Sequence, residues 1–197
     1  MVRNFVQKWQ IICIKCLKNN FKGAKMDLSK IEVGSNPERL NVVIEIPYGS
    51  NIKYEIDKDS GAVVVDRVMY SAMFYPANYG FVPNTLSDDG DPADVLVINE
   101  YPLQAGSVIK ARLIGVLIME DESGMDEKLI AVPISKIDPR YDRIKSLEDL
   151  PQITLDRIKN FFETYKMLEP NKWVKVKEYK DLNTAKEILD KAIKNYK

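Results

Sequence analysis

From Leu40 onward apolar and polar residues alternate with period two, and helical spacing appears only after residue 151; this order of elements limits the fold more than any other feature. In Leu40–Ile46 the residues Leu40, Val42, Ile44 and Ile46 share one face, and Asn41, Val43 and Glu45 the other. After the turn Pro47-Tyr48-Gly49-Ser50, Ile52, Tyr54 and Ile56 alternate with Lys53, Glu55 and Asp57, so a second strand carries a row of charges opposite an apolar face. Past Asp59-Ser60-Gly61, Ala62–Val68 points Val63, Val65 and the stem of Arg67 one way, and the three segments read as a meander. Gly and Pro then break residues 71–107 into short extended pieces and loops. A long apolar strand, Val108–Glu120, meets an apolar return, Leu129–Ile134, through a tip that holds Asp121, Glu122, Gly124 and Asp126. Leu155, Ile158, Phe162 and Tyr165 then step by three and four, with Pro151 suited to a helix's first turn, and Ile188, Leu189, Ala192 and Ile193 form a stripe on a second helix near Thr184–Tyr196. Strands first and helices afterward predict a mainly β, α+β fold or a barrel with added helices, since parallel βαβ units would alternate the two.

A chain of 197 residues, 45% of them apolar, has enough for one sizeable core, and one domain over 26–197 is expected. Its 29 basic and 29 acidic residues hide an asymmetry. Residues 1–25 carry six basic side chains (Arg3, Lys8, Lys15, Lys18, Lys22 and Lys25) and no acid, which leaves the remainder with 23 basic and 29 acidic residues, a net charge of −6. That acidic body argues against general nucleic-acid binding. The apolar run Ile11–Ile14 is closed by Lys15 and preceded by Lys8, so neither a secretory core nor a membrane span fits there, and a cytoplasmic protein is expected. The arm reads as an extension outside the fold, with Met26 a candidate first residue; a surface-seeking or organelle-targeting segment is the alternative. Cys13 and Cys16 form a lone C-x-x-C that, without histidine, cannot complete a four-ligand zinc site.

Asp89-Gly90-Asp91-Pro92-Ala93-Asp94-Val95 sets three carboxylates around one glycine and one proline in a chain with no histidine. Clustered acids repel one another unless cations hold them together, and hard, oxygen-loving ions such as Mg²⁺ fit that need. Phosphate-binding glycine loops, dinucleotide-binding turns and nucleophile elbows are all absent from the sequence. A calcium loop would place ligands at Asp89, Asp91 and Glu100, but Ala93 cannot coordinate at its fifth position and Asp94 replaces the glycine of its sixth.

The acidic loop resembles the signature of the family I soluble inorganic pyrophosphatases. So do Val43-Ile44-Glu45-Ile46-Pro47, Lys53-Tyr54-Glu55-Ile56, Val65-Asp66-Arg67, Tyr75-Pro76-Ala77-Asn78-Tyr79-Gly80-Phe81, Asp121-Glu122 with Asp126 and Lys128, and Phe161-Phe162-Glu163-Thr164-Tyr165-Lys166, in that family's order. The resemblance spans 26–197 and implies a closed five-stranded OB-like β-barrel flanked by two α-helices, to which Val63 and Val65 would contribute. It implies hydrolysis of pyrophosphate to two orthophosphates, several Mg²⁺ ions on Asp89, Asp94, Asp121 and Asp126, a water shared between metals, and Asp91 as proton acceptor. Lys53, Arg67, Tyr79, Tyr165, Lys166 and Lys128 would contact substrate. Glu45, Glu55 and Glu122 would be supporting carboxylates, and Tyr75 a supporting residue that either touches phosphate or packs beneath the site. Bacterial-type members of this length resemble homohexamers. Ala93 departs from the larger aliphatic residue more common there, and no interface histidine exists, with Asn160 and Thr164 on the relevant helix. A binding module that grips an anionic ligand through positions 53, 67 and 79 is the competing reading, opposed by the full set of carboxylates.

Overall fold

The computed structural model describes residues 26–197, so the basic arm and its cysteines lie outside the described residues. In chain order the strands are β1 (Gly34–Ser35), β2 (Arg39–Ile46), β3 (Ile52–Ile56), β4 (Val63–Val68), β5 (Asn78–Phe81), β6 (Asp94–Val97), β7 (Val108–Asp121), β8 (Gly124–Met125), β9 (Lys128–Pro133) and β10 (Val174–Lys180), with helices α1 (Gln152–Thr164) and α2 (Leu182–Tyr196). Pairing runs β2-β5-β6-β9-β7, and β7 pairs again with β2, so five strands form a ring. All its contacts are antiparallel except β6 with β9, where Val95 lies beside Leu129. The ring is the barrel expected of an OB-like fold, with β10 added along the outer length of β7.

The alternation of β2 does what its pattern requires: Leu40, Val42, Ile44 and Ile46 are all buried. Val43 is buried as well, because the opposite face is covered by Ile56 and Phe81, with Met26, Leu28 and Ile31 packed alongside. The meander is not formed. β3 and β4 pair only with each other, as a hairpin outside the ring, because both edges of β2 are taken by β5 and β7. Val63 and Val65 are therefore not barrel residues; they are 40% and 61% exposed.

Pro151 occupies the N-cap of α1 rather than its first turn. This helix buries Leu155, Ile158, Phe161 and Phe162 against Tyr75, Leu117 and Ile130. α2 begins at an Asp181 cap, whose carboxylate accepts from the Thr184 N–H at 3.0 Å, and packs Ala185, Leu189 and Ala192 on the other side of the ring against β7. Asn78, fully buried, pins two loops: its Oδ1 accepts from the N–H groups of Tyr48 (2.9 Å) and Leu103 (2.7 Å), and its Nδ2 donates to Tyr101 O (3.0 Å). A buried amide with its bonds made gives the neighbouring Tyr79 a fixed backbone.

Candidate active site

The acidic loop is pinned at its base. Val82 N–H donates to Ala93 O at 2.9 Å, and the buried Thr85 hydroxyl donates to Val82 O (2.6 Å) while accepting from Ala93 N–H (2.9 Å). Ala93 is buried between them, so its small side chain leaves the base of the loop intact. Gly90 takes φ +90°, a left-handed conformation that side chains avoid, and its N–H donates to Ser87 O at 3.1 Å. The Asp91 N–H donates to Asp89 Oδ1 at 3.0 Å in an Asx turn, leaving the Asp91 carboxylate exposed and paired with Lys58 at 3.0 Å.

Asp94 opens β6, and the parallel register with β9 brings Lys128 beside it. Lys128 is almost fully buried and its ammonium donates to both Asp94 and Asp126, with the Tyr79 hydroxyl at 3.4 Å. Burial acts to lower the pKa of Lys128, but the two carboxylates overcome it and raise the ammonium well above its ordinary value. Burial first, then Asp94 and Asp126, push the Tyr79 hydroxyl well up; burial likewise raises Asp94.

Asp121 ends β7, and the Asp126 N–H returns to Met119 O at 2.9 Å, so the tip folds its two aspartates back toward the barrel mouth. Lys166, just past α1, donates to Asp121 Oδ2 at 2.7 Å and lies 3.6 Å from Glu122. Burial acts to raise Glu122, but a hydrogen bond from Lys172 and the charge of Lys166 hold it down at about 2. Tyr165 stacks on Phe161, ring centroids 5.1 Å apart, and burial raises its hydroxyl well above the usual value. The Tyr75 ring lies 4.8 Å from that of Phe161 and 5.6 Å from that of Tyr79.

The hairpin makes the facing wall. Lys53 and Glu55 share a face by strand alternation and are hydrogen-bonded, and Lys53 lies 3.3 Å from Asp66. Arg67 is held by Asp66 and by Glu169, whose Oε1 accepts from Nε at 3.1 Å. Glu45, on β2, accepts from the Ile56 N–H at 3.0 Å, and burial, helped by Asp94, pushes its carboxyl up to about 7.

That shift has a consequence for stability. A carboxyl whose folded pKa lies above its unfolded value of 4.5 contributes fully below pH 4.5, and the contribution is lost as pH rises through about 7. In chelator, Glu45 is expected to cost the protein about 3 kcal/mol of stability between pH 4.5 and 7.5. Urea denaturation of the parent and of Glu45→Gln across that range checks it: the Gln variant should show the flatter profile, and parallel profiles would remove Glu45 as the cause.

These side chains share one neighbourhood. Burial chiefly raises all three of Asp89, Tyr165 and Tyr75, and the same charges act on them in smaller measure: Asp94, Asp126 and Lys128 on Asp89, Lys128, Asp126 and Asp121 on Tyr165, and Lys128, Arg67, Asp94 and Glu45 on Tyr75, with the cations lowering and the carboxylates raising. Among the described residues no three acidic or thiol side chains close around one point as a finished ligand cage; the aspartates meet lysine ammonium groups instead. The donor set still fits a hard divalent ion, being all carboxylate oxygen, and the ammonium of Lys128 already occupies a cation's place between two of them. Four partners lack a signal in the sequence: Lys58 on Asp91, Glu169 on Arg67, Lys172 on Glu122, and Thr85 under the loop.

An OB-like ring whose mouth alternates carboxylates with lysine, arginine and tyrosine donors defines a class: a hydrolase for a small, highly charged anion. The family model described as inorganic pyrophosphatase matches residues 42–197, and the chain belongs to that family. It is 76% identical over 172 residues to the inorganic pyrophosphatase of Campylobacter jejuni, covering 87% of this chain and 100% of that protein. With the protein of Helicobacter pylori strain 26695 it shares 64% over 171 residues, 87% of this chain and 99% of the relative. Among solved structures, a Helicobacter pylori inorganic pyrophosphatase superposes with a TM-score of 0.83 at 64% identity, covering 85% of this chain and 98% of that one. One from Thermus thermophilus gives 0.83 at 46%, covering 87% and 99%.

Proposed function

We propose that this pouch hydrolyses pyrophosphate to two orthophosphates, with Mg²⁺ as the metal, Asp89, Asp94, Asp121 and Asp126 as its ligands and Asp91 as the proton acceptor. The observation that carries the reading is the alternation of charge at hydrogen-bond range: Asp94 and Asp126 on Lys128, with the Tyr79 hydroxyl beside it. A phosphoanhydride is a tetra-anion that repels an incoming nucleophile, so catalysis is mostly positioning and charge stabilisation. When bound, Mg²⁺ ions neutralise the substrate and acidify a water.

The side chains divide the remaining work. Lys53, Arg67, Lys128 and Lys166 supply fixed positive charge, and Arg67, held on both sides by Asp66 and Glu169, presents a planar fork suited to phosphate oxygens. Tyr79 and Tyr165 stay protonated far above neutral pH, so their hydroxyls donate throughout the working range. Asp91, outward-facing on a loop fixed by its own hydrogen bonds, accepts the water's proton. Glu45, Glu55 and Glu122 support by holding Ile56, Lys53 and Lys166 where they stand, and Tyr75 supports from beneath.

Phosphate release from pyrophosphate by the full chain, with and without Mg²⁺, is the test. Release that depends on Mg²⁺ is expected; none above background from folded protein would leave the binding-module reading in its place. The whole of 26–197 forms one catalytic domain in this reading, and the arm of 1–25 stands outside it. No described helix is long and apolar enough to cross a membrane. The acidic body supports an enzyme without nucleic-acid partners, and a cytoplasmic location belongs to the same reading. Exposed apolar side chains at Val65, Val68, Tyr70 and Phe74 support assembly into the homohexamer that the family resemblance implies. Light scattering should then give six times 22.6 kDa, and a monomer mass would refute it.

A further inference from the structure

We infer that Lys128 is a built-in counterion that competes with the divalent metal for Asp94 and Asp126, and so sets how tightly the pouch holds its ion. The inference rests on the reading of these aspartates as metal ligands. Lys53, Arg67 and Lys166 are ion-paired as well, but none of them bridges two of the aspartates assigned to the metal. Lys128 instead is 4% exposed and wedged between two carboxylates, both of which it contacts directly.

Its backbone has no freedom to adapt. β9 is buried along its whole length, with Lys128 opposite Leu117 on the antiparallel neighbour and Leu129 beside Val95 on the parallel one. Only the four-carbon stem can move. The Tyr79 hydroxyl, 3.4 Å from the ammonium and itself hydrogen-bonded to Asp94, marks a further partner already within reach. In the metal-free pouch the ammonium satisfies two partly buried anions that would otherwise repel each other at short range. A divalent ion entering the same gap meets one positive charge too many, so the ammonium must yield the carboxylates and turn toward Tyr79. With ion and ammonium both present the local charge changes from −1 to +1, the sign a polyanionic substrate needs. The same residue therefore lowers the affinity for metal and raises the attraction for the anion that binds after it.

Two readouts with opposite signs separate this role from a merely structural one. Lys128→Gln keeps most of the side chain's bulk and removes its charge; Lys128→Arg keeps the charge. In calorimetric titration of Mg²⁺ into the full-length metal-free proteins, the Gln variant is expected to bind about tenfold tighter or more than the parent, while its melting temperature in chelator falls below the parent's. The Arg variant should bind within about threefold of the parent. If the Gln variant unfolds in chelator, the titration is run from the loaded side: more chelator should be needed to strip its metal than the parent's. Equal or weaker binding by the Gln variant overturns the inference. Absence of Mg²⁺ binding by the parent itself would instead overturn the assignment of the aspartates, which distinguishes the two failures.

Discussion

Asp91→Asn is expected to lower the turnover of pyrophosphate by about 10³-fold while leaving the melting temperature within a degree or two of the parent. Both halves of that expectation come from the loop. The bonds that shape it use the Asp91 backbone, donating to Asp89 Oδ1 and accepting from the Ser87 N–H at 2.8 Å, and the amide of asparagine leaves them untouched. The carboxylate itself is exposed and meets Lys58, a surface pair whose loss costs at most about 1 kcal/mol. What asparagine cannot do is accept a proton, and general-base catalysis contributes on the order of 10²–10⁴ in rate. Phosphate release under saturating substrate measures the first half and thermal denaturation the second. A fall of less than tenfold would assign the proton to another acceptor.

The acidic loop was legible because its residue types carry their chemistry openly: three carboxylates, a glycine and a proline in seven residues admit few other uses. Lys53 and Glu55 could be placed on one face from alternation alone, and their hydrogen bond bears that out. The counter-charges were another matter. Arg67 meets Glu169 across 102 residues of sequence and Asp121 meets Lys166 across 45, and no local pattern marks either pair. Nor does composition say that Lys128, rather than solvent, stands between Asp94 and Asp126.

The same division runs through the fold. Period-two alternation in β2 and the three-and-four spacing of Leu155, Ile158 and Phe162 report which face is buried, since burial is a local demand on residue type. Which strands become neighbours is a contest between distant segments. Sequential strands usually pair, so β2, β3 and β4 read as a meander. The edges of β2 went instead to β5 and β7, which bring Phe81 opposite Val43 and Ile109 opposite Val42, and the hairpin was left to form a wall. That displacement is what stands Lys53 and Arg67 over the mouth rather than within the barrel surface. β10 shows the converse: its Val-Lys-Val-Lys run carries a strand pattern, yet lies half exposed along β7 and adds nothing to the site.

Gly80→Ala should be the most damaging single methyl in the molecule, costing at least about 3 kcal/mol and the active-site geometry together. Gly80 lies on β5 between two partners, Ile44 on β2 and Val95 on β6. Its φ is not of the kind that demands glycine, so backbone freedom is not the reason for it; the reason is proximity. A Cβ built there overlaps the carbonyl oxygen of Val43 and comes 2.8 Å from its carbonyl carbon and 2.9 Å from Ile44 Cα. All three are backbone atoms of two fully buried residues, with no rotamer to change, so β2 and β5 must separate. Separation opens the ring at a seam flanked by Tyr79, one residue away, and by Asp94, which pairs with Phe81. Gly115→Ala is the instructive comparison: there the new methyl first meets the side chain of Leu147 at 2.5 Å, which can turn, although Lys180 O stands at 2.8 Å. Urea denaturation should rank the two with Gly80→Ala the less stable, and Mg²⁺ titration should show that it alone also loses metal affinity. A Gly80→Ala protein as stable as the parent would mean that the β2–β5 seam slides freely, and the barrel could not then be what holds Tyr79 and Asp94 in register.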